Sequence, residues 1–357
     1  MELDLTRTHT LLAAFESTKA TPSFLKDRYF PTNPDVDVFP TDDVLVDFQD
    51  EAGEKAAPFV IPGGSSNLTR DGFHTDKFTP PMIAPQRTLT IDELKKRGFG
   101  EAVFSKLTPA EREMALTLRD LKDLEKSTIR REELMAAETL MTDGCVMTAD
   151  GGEDNTIVFH DGDVNPYQYA PAIPWNDTAA RIYDDICAMV QMLKDKGMPA
   201  KELLVSPDVE RMIIHNPEMQ KLLDISRLNI GNIQPLDLGD DAAHIGTINA
   251  GGKMIAIISY SGGYKNDEGQ YVHYLPEGTA IVTAPAAGRG LYGCITQLEQ
   301  EDMQFHSYTG KRVPKYLADA VTNQRTLTLS SAPVLIPKVK GGWIYANVAA
   351  ESEAEND

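Results

Sequence analysis

Residues 288–293 read Gly-Arg-Gly-Leu-Tyr-Gly, GRGLYG. The spacing G-x-G-x-x-G is that of loops which seat a dinucleotide pyrophosphate at a helix N-terminus. Such a loop must follow the first strand of a βαβ unit and then open a helix. The first condition is met, because Thr279–Thr283 (TAIVT) reads as a strand. The second fails. Cys294-Ile295-Thr296-Gln297-Leu298 alternates with period 2, as a strand does. The third glycine then falls inside a strand, and no crossover of the length a parallel pair needs comes after it. The expectation is a glycine-permitted bend between two strands, with no cofactor. A cytoplasmic NAD-type oxidoreductase built on this loop stands as the alternative.

Outward from this stretch, strands dominate residues 245–299: Ile245–Asn249, Lys253–Tyr260, Tyr271–Tyr274, Thr279–Thr283 and Leu291–Gln297. The turns between them are Gly251-Gly252, Asn266–Gly269 and Pro276–Gly278. Thr326–Ser330 and Val334–Lys338 read as late strands. Upstream, Ile182, Ile186, Met189, Val190 and Leu193 follow helical spacing and predict a helix over 176–199, stopped by Gly197 and Pro199. Leu203–Val205 is a short buried strand, and Ser206-Pro207 and Asn216-Pro217 each open a further helix.

The strongest helical segment is 108–141. Thr108 is a capping residue, Pro109 stands at the first helical position, and Glu111 can close a capping box. Met114, Leu118, Leu121 and Leu124 or Glu125 mark one face, and Arg119 and Asp123 form an i,i+4 pair on the wet side. Asp143-Gly144 supplies the stop. At 1.5 Å per residue the helix is about 50 Å long, more than a compact domain of this size needs. Its periodicity weakens over Lys126–Glu133, which predicts a bend there. Cys145–Thr148 and Thr156–His160 then form a hairpin around Asp150-Gly151-Gly152.

At the N-terminus, Pro22, Pro31, Pro34 and Pro40 forbid a long helix, leaving an extended arm with one short helix near Thr10–Ser17. Residues 43–91 hold strand-like pieces at Val44–Phe48, Phe59–Ile61 and Arg87–Ile91 around a polar, glycine-rich middle. They predict a long ribbon with almost no core of its own, which must lie on something else. Its apolar side chains Phe59, Ile61, Phe73 and Phe78 are candidate contacts with a neighbouring subunit. A small cluster packed on their own subunit is an equal alternative.

Composition bounds the function. The chain has 357 residues, a formal net charge of −20 and 41% hydrophobic residues, enough to bury a sizeable core. So acidic a surface repels nucleic acid and anionic membranes at long range. Cys145, Cys187 and Cys294 are widely spaced and predict reduced thiols. The N-terminal MELDLTRTHTLLAAF lacks a leader's basic start, and no stretch approaches the ~18 apolar residues of a membrane helix. Synthesis in the cytoplasm is the expectation. His9, His74, His160, His215, His244, His273 and His306 show no metal-ligand spacing. Ser261, beside Gly262-Gly263, reads as a turn rather than a nucleophile. The acidic pairs Glu132-Glu133, Asp184-Asp185 and Asp240-Asp241 are expected on solvated faces, and Met135, Met141, Met189 and Met192 in the core. With no catalytic, metal or cofactor residues to name, an arm, a ribbon and an overlong helix remain, and these suggest oligomerisation.

Four blocks carry a family resemblance. They are Ile257–Gly262 (IISYSG), Tyr274–Thr279 (YLPEGT), Gly288–Cys294 (GRGLYGC) and Ser331–Pro337 (SAPVLIP). In this order and spacing they resemble the lambda-type major capsid protein E family of tailed phages and prophages. The resemblance implies an α+β, Hong Kong 97-like capsid fold. In such a fold 1–45 would be the N-terminal arm, 46–92 an extended loop, and 93–164 a peripheral domain with its spine helix at 108–141. Residues 165–325 would form the axial domain, 326–350 the strands returning to the peripheral domain, and 351–357 an acidic tail. GRGLYG would be a bend within the axial domain. The resemblance further implies hexamers and pentamers of the chain itself in a phage head around double-stranded DNA, assembled in the host cytoplasm. A decoration or scaffolding protein is a possible partner; a membrane is not. The acidic balance suits a shell that must not adhere to packaged DNA. A cellular nanocompartment shell of the same fold is the other alternative.

Overall fold

The computed structural model describes residues 23–49, 73–95, 108–148, 154–160, 162, 164–221, 238–239, 241–266, 268–300 and 302–349. Its helices are α1 (Leu25–Tyr29), α2 (Ile91–Lys95), α3 (Pro109–Thr142), α4 (Ile182–Asp195) and α5 (Pro207–His215), with a short helical run at 217–221. Helix α3 spans 34 residues as one element. It opens with the expected capping box: the Glu111 N–H donates to the Thr108 hydroxyl, and the Thr108 N–H donates to the Glu111 carboxylate. It closes at Asp143, which takes a left-handed φ of 53°. The helix is unbroken over 126–133, where a bend is expected. Buried residues Leu121, Glu125, Thr128, Glu132, Met135 and Thr139 continue the 4-3 spacing through it. The stripe is intact; only its chemistry changes from apolar to polar.

The central sheet has six strands in the order β6-β19-β12-β7-β9-β8. These are β6 (Gln168–Tyr169), β7 (Glu202–Val205), β8 (Ala242–Ala250), β9 (Lys253–Tyr260), β12 (Thr279–Thr283) and β19 (Ile344–Asn347). β7 and β12 are buried at every position, because both faces of the sheet are covered. Leu203, Val205, Ile257, Ala280 and Val282 face Ile182, Ile186, Met189, Val190 and Leu193 of α4 together with Val209 and Ile213 of α5. Their neighbours Leu204, Ile258 and Ile281 face the opposite way, onto Met135, Ala136 and Leu140 of α3 and Leu25 and Tyr29 of α1. The helix expected over 176–199 is shorter than predicted, since Asp177 heads tight turns that precede it.

A second, three-stranded sheet lies along α3. β3 (Gln86–Thr90), β16 (Val313–Asp319) and β17 (Gln324–Ser330) form a sheet in the order β16-β17-β3. Leu327, Leu329 and Tyr316 of this sheet pack on Leu121 and Leu124. β1 (Val44–Gln49) and β2 (Phe73–Phe78) pair antiparallel as the root of the expected ribbon. Val44, Val46, Phe48 and Phe78 pack there against Leu291, Val334 and Ile336. The third ribbon piece does not belong to the ribbon: Arg87–Thr90 pairs with β17 instead. Small hairpins complete the chain: β4 (Gly144–Thr148) with β5 (Asp154–Val158), β10 (Gly263–Lys265) with β11 (Tyr271–His273), and β14 (Ile295–Leu298) with β15 (Phe305–Tyr308). Among the described residues no helix is long and apolar enough to cross a membrane.

Candidate functional site

GRGLY is a strand, not a bend, and Gly293 lies just past its end rather than inside the next strand. Gly288–Tyr292 is β13, paired antiparallel along its length with β18 (Pro333–Pro337), so Gly288 faces Pro337 and Tyr292 faces Pro333. The glycines make room for the N-terminal segment. A Cβ on Gly290 would stand 2.6 Å from Thr32 Oγ1 and 3.0 Å from the Phe30 carbonyl, and one on Gly288 would strike the Phe30 ring. Residues 28–39 run along this strand and are tied to it. The Ala286 N–H donates to the Arg28 carbonyl, the Tyr292 N–H to that of Asp37, and the Phe39 N–H to that of Tyr292. Arg289 donates through its guanidinium to the buried Asp37 carboxylate.

Two adjacent acids of α3, expected in solvent, are the centre of this joint. Glu132 is 1% and Glu133 3% exposed. The Glu133 carboxylate accepts from the backbone N–H groups of Phe24 (3.0 Å), Leu25 (2.6 Å) and Lys26 (3.0 Å), and from the Tyr260 hydroxyl (2.8 Å). Helix α1 has no side-chain cap from its own N-cap residue, Phe24. Glu133 supplies that cap from a distant segment, where the helix N-terminus favours an anion. Burial still pushes the Glu133 carboxyl above the usual carboxylate range, against these hydrogen bonds. Glu132 holds Arg312 in a two-pronged pair at 2.8 and 2.7 Å and accepts from the Tyr292 hydroxyl at 2.9 Å. Burial pushes the Tyr292 phenol up to about 12, with the Glu132 charge adding to the shift. Lys26, Lys311 and Arg312 surround the Tyr292 ring at 5.9, 5.8 and 5.9 Å from its centroid. One helical turn thus holds α1, the end of β9, β13 and the start of β16.

Two further contacts extend the joint to the central sheet. Arg28 pairs with the buried Glu202 at the start of β7, and the Tyr29 hydroxyl donates to the same carboxylate at 3.0 Å. Phe24, Tyr260, Tyr274 and Tyr264 stack in sequence, with centroid spacings of 5.1, 6.3 and 5.5 Å. The arrangement fixes elements in place.

The residues expected to touch a neighbour fare differently. Phe59 and Ile61 lie outside the described residues. Phe73 stands opposite Gln49 at the outer end of the β1–β2 pairing. Phe78 is not a free anchor. It is 9% exposed and packs edge-on against Phe48 and Phe159 of its own chain, because the root of the ribbon is anchored there. The short helix expected near Thr10–Ser17 also lies outside the described residues, and α1 was not foreseen. Its cap comes from Glu133, some hundred positions on in the chain. Among the described residues no three His, Cys, Asp or Glu side chains converge as a metal site. Ser261 donates to the Asp241 carbonyl, and the nearby His273 addresses the Ser261 carbonyl rather than its hydroxyl.

The architecture has relatives. The chain is 22% identical over 285 residues to the major capsid protein of Escherichia phage lambda, covering 78% of this chain and 82% of that protein. A prophage chain from Escherichia coli CFT073 assigned as a capsid protein superposes with a TM-score of 0.67 at 19% identity, over 96% of this chain and 99% of the other. The capsid of Ralstonia phage GP4 gives 0.51 at 14% identity, over 96% and 92%. The fold is therefore the α+β, Hong Kong 97-like fold of tailed-phage capsid proteins. The family described as phage major capsid protein E matches residues 7–348, nearly the whole chain. The chain belongs to the phage major capsid protein E family.

Proposed function

We propose that this chain is the structural shell subunit of a phage or prophage head. Copies associate as hexamers and pentamers, close an icosahedral shell around double-stranded DNA, and catalyse nothing. The observation that carries this reading is the joint. The N-terminal segment and the long helix are fastened to each other by buried polar contacts, and the root of the ribbon is packed on Leu291, Val334 and Ile336. A subunit that must present projecting parts to its neighbours needs such a rigid root. Strand pairing suggests an axial unit made of the six-stranded sheet with α4 and α5. It also suggests a peripheral unit made of α3 with β3, β13 and β16–β18. The ribbon, with Phe59, Ile61 and Phe73, would lie on a neighbour. The particle's location is the virion, and its net charge of −20 suits a lining along which DNA slides. A scaffolding or decoration protein fits as an additional partner.

The test is negative-stain electron microscopy of the purified chain with size-exclusion chromatography. Ring-shaped capsomers, tubes or closed shells are expected. A monomer at every concentration that also binds a nicotinamide cofactor would overturn the reading. Particles that enclose an enzyme in place of DNA would indicate a cellular compartment. A shell lining that proved basic would refute the proposed role of charge.

A further inference from the structure

Asp143, which ends α3, is fully buried, and neither of its carboxylate oxygens has a hydrogen-bond partner among the described residues. Its backbone is fully used: the N–H donates to the Thr139 carbonyl and the carbonyl accepts from the Phe159 N–H. These two bonds fix the backbone from which the carboxyl projects. The imidazole Nδ1 of His160 stands 3.8 Å from Oδ2, too far for a hydrogen bond, and is likewise unsatisfied. Two cations face the carboxyl, Lys340 from the segment between β18 and β19 and Lys196 from the end of α4. Lys196 lies 3.6 Å from the centroid of the Tyr167 ring. Lys340 lies 5.5 Å above the Phe48 ring and 4.0 Å from the Asp76 carboxylate, both on the ribbon root. Lys340 therefore acts on two carboxylates, one buried at the helix end and one on β2.

We propose that Asp143 is a proton-operated latch on the ribbon root. Neutral, it needs no counter-charge and leaves Lys340 to Asp76 and Phe48. Ionised, it is a buried anion without donors, and it draws Lys340 inward at the expense of that lysine's contacts to Phe48 of β1 and Asp76 of β2. Burial holds the Asp143 carboxyl at about 7 in place of 3.8, so the exchange falls near neutrality. No charge other than that of Lys340 needs to move between the two sites.

The experiment is hydrogen exchange of the full chain at about pH 5.5 and about pH 8.5, corrected for intrinsic exchange and read on species of equal size by light scattering. In the wild type, the β1 and β2 amides should lose roughly tenfold in protection at the higher pH, with the six-stranded sheet unchanged. Asp143→Asn should abolish that loss while keeping the left-handed turn, which Asn tolerates. Asp76→Asn should abolish it from the other end, and His160→Gln should leave it in place. The latch is overturned if wild-type β1 and β2 show no pH response. It is equally overturned if the response survives in Asp143→Asn, or if His160→Gln removes it.

Discussion

Removal of the Glu133 carboxylate should release the N-terminal segment without unfolding the body. Glu133→Ala leaves four donors with no acceptor: the buried Leu25 N–H and Tyr260 hydroxyl and the half-buried N–H groups of Phe24 and Lys26. At about 1 kcal/mol for each such group, the low end for a buried donor, the loss is ~4 kcal/mol. The low end applies because the substitution also removes a buried charge, whose desolvation opposed the native state. At about 1.4 kcal/mol per factor of ten, ~4 kcal/mol is roughly a 10³-fold rise in local opening. Glu133→Gln should fall between the two. Its oxygen can still serve Leu25 and Tyr260, but its amide group would face the Lys26 N–H, which now donates to Oε2. That donor-against-donor contact costs about 2 kcal/mol, or roughly 30-fold. The assay is hydrogen exchange of the residue 24–28 amides in the unassembled chain, under conditions where protection reads opening free energy. A loss below tenfold in Glu133→Ala would refute the capping argument. So would an equal loss across the six-stranded sheet, which would show global unfolding in place of local release.

The other predictions use the same joint and its surroundings. Gly290→Ala should destabilise the chain by about 1–3 kcal/mol, because its Cβ meets Thr32 Oγ1 at 2.6 Å and the Phe30 backbone. A thermal midpoint equal to wild type would contradict that packing. Arg312→Met should cost about 3–5 kcal/mol by leaving Glu132 buried without its cation, and the double variant with Glu132→Gln should recover most of it, as urea denaturation of both would show. Stability should depend on pH through Asp143, whose folded carboxyl sits at about 7 against 3.8. The folded chain holds a proton that the unfolded chain releases between those values. The stability that Asp143 contributes is therefore fully present below 3.8 and is lost as pH rises through about 7, by up to ~4 kcal/mol at about 1.36 kcal/mol per unit. Asp143→Asn should flatten that slope in denaturation series across pH. Replacing Phe59 and Phe73 together with Ser should leave a folded chain that forms no shells, and normal particles in the microscope would refute their role between subunits.

The parts of the fold visible in the sequence are those whose causes are local. The start of α3 was legible because Thr108, Pro109 and Glu111 act within one turn of each other. The buried face of α4 was legible because five apolar side chains repeat on it. The reading of GRGLYG was half right. Rejecting the cofactor loop needed only the period of the residues after it. Rejecting the bend needed Phe30 and Thr32, which lie more than 250 positions away and explain why β13 carries glycines at all. Likewise Arg87–Thr90 has a strand's composition wherever it pairs, and nothing local says that its partner is β17 rather than the ribbon.

The joint was missed for a more instructive reason. Adjacent acids in a chain with 54 acidic residues read as a wet surface. Position argues otherwise: Glu125, Thr128 and Glu132 continue the spacing that Leu121 begins and Met135 resumes. A helix that frays would lose that register; this one keeps it through three polar positions. A polar residue in register on an apolar stripe is therefore better read as a buried group whose partner lies elsewhere. For Glu132 the partners are Arg312 and Tyr292, and for its neighbour Glu133 they are the first amides of α1 and Tyr260. The cost of burying those charges is the reason such contacts hold specific partners: a misplaced segment would leave an unpaired carboxylate in the core. Apolar packing alone could hold α1 and β13 against α3 in several registers. Carboxylates that accept from named backbone amides and one guanidinium favour a single register of α1 and β13 on α3.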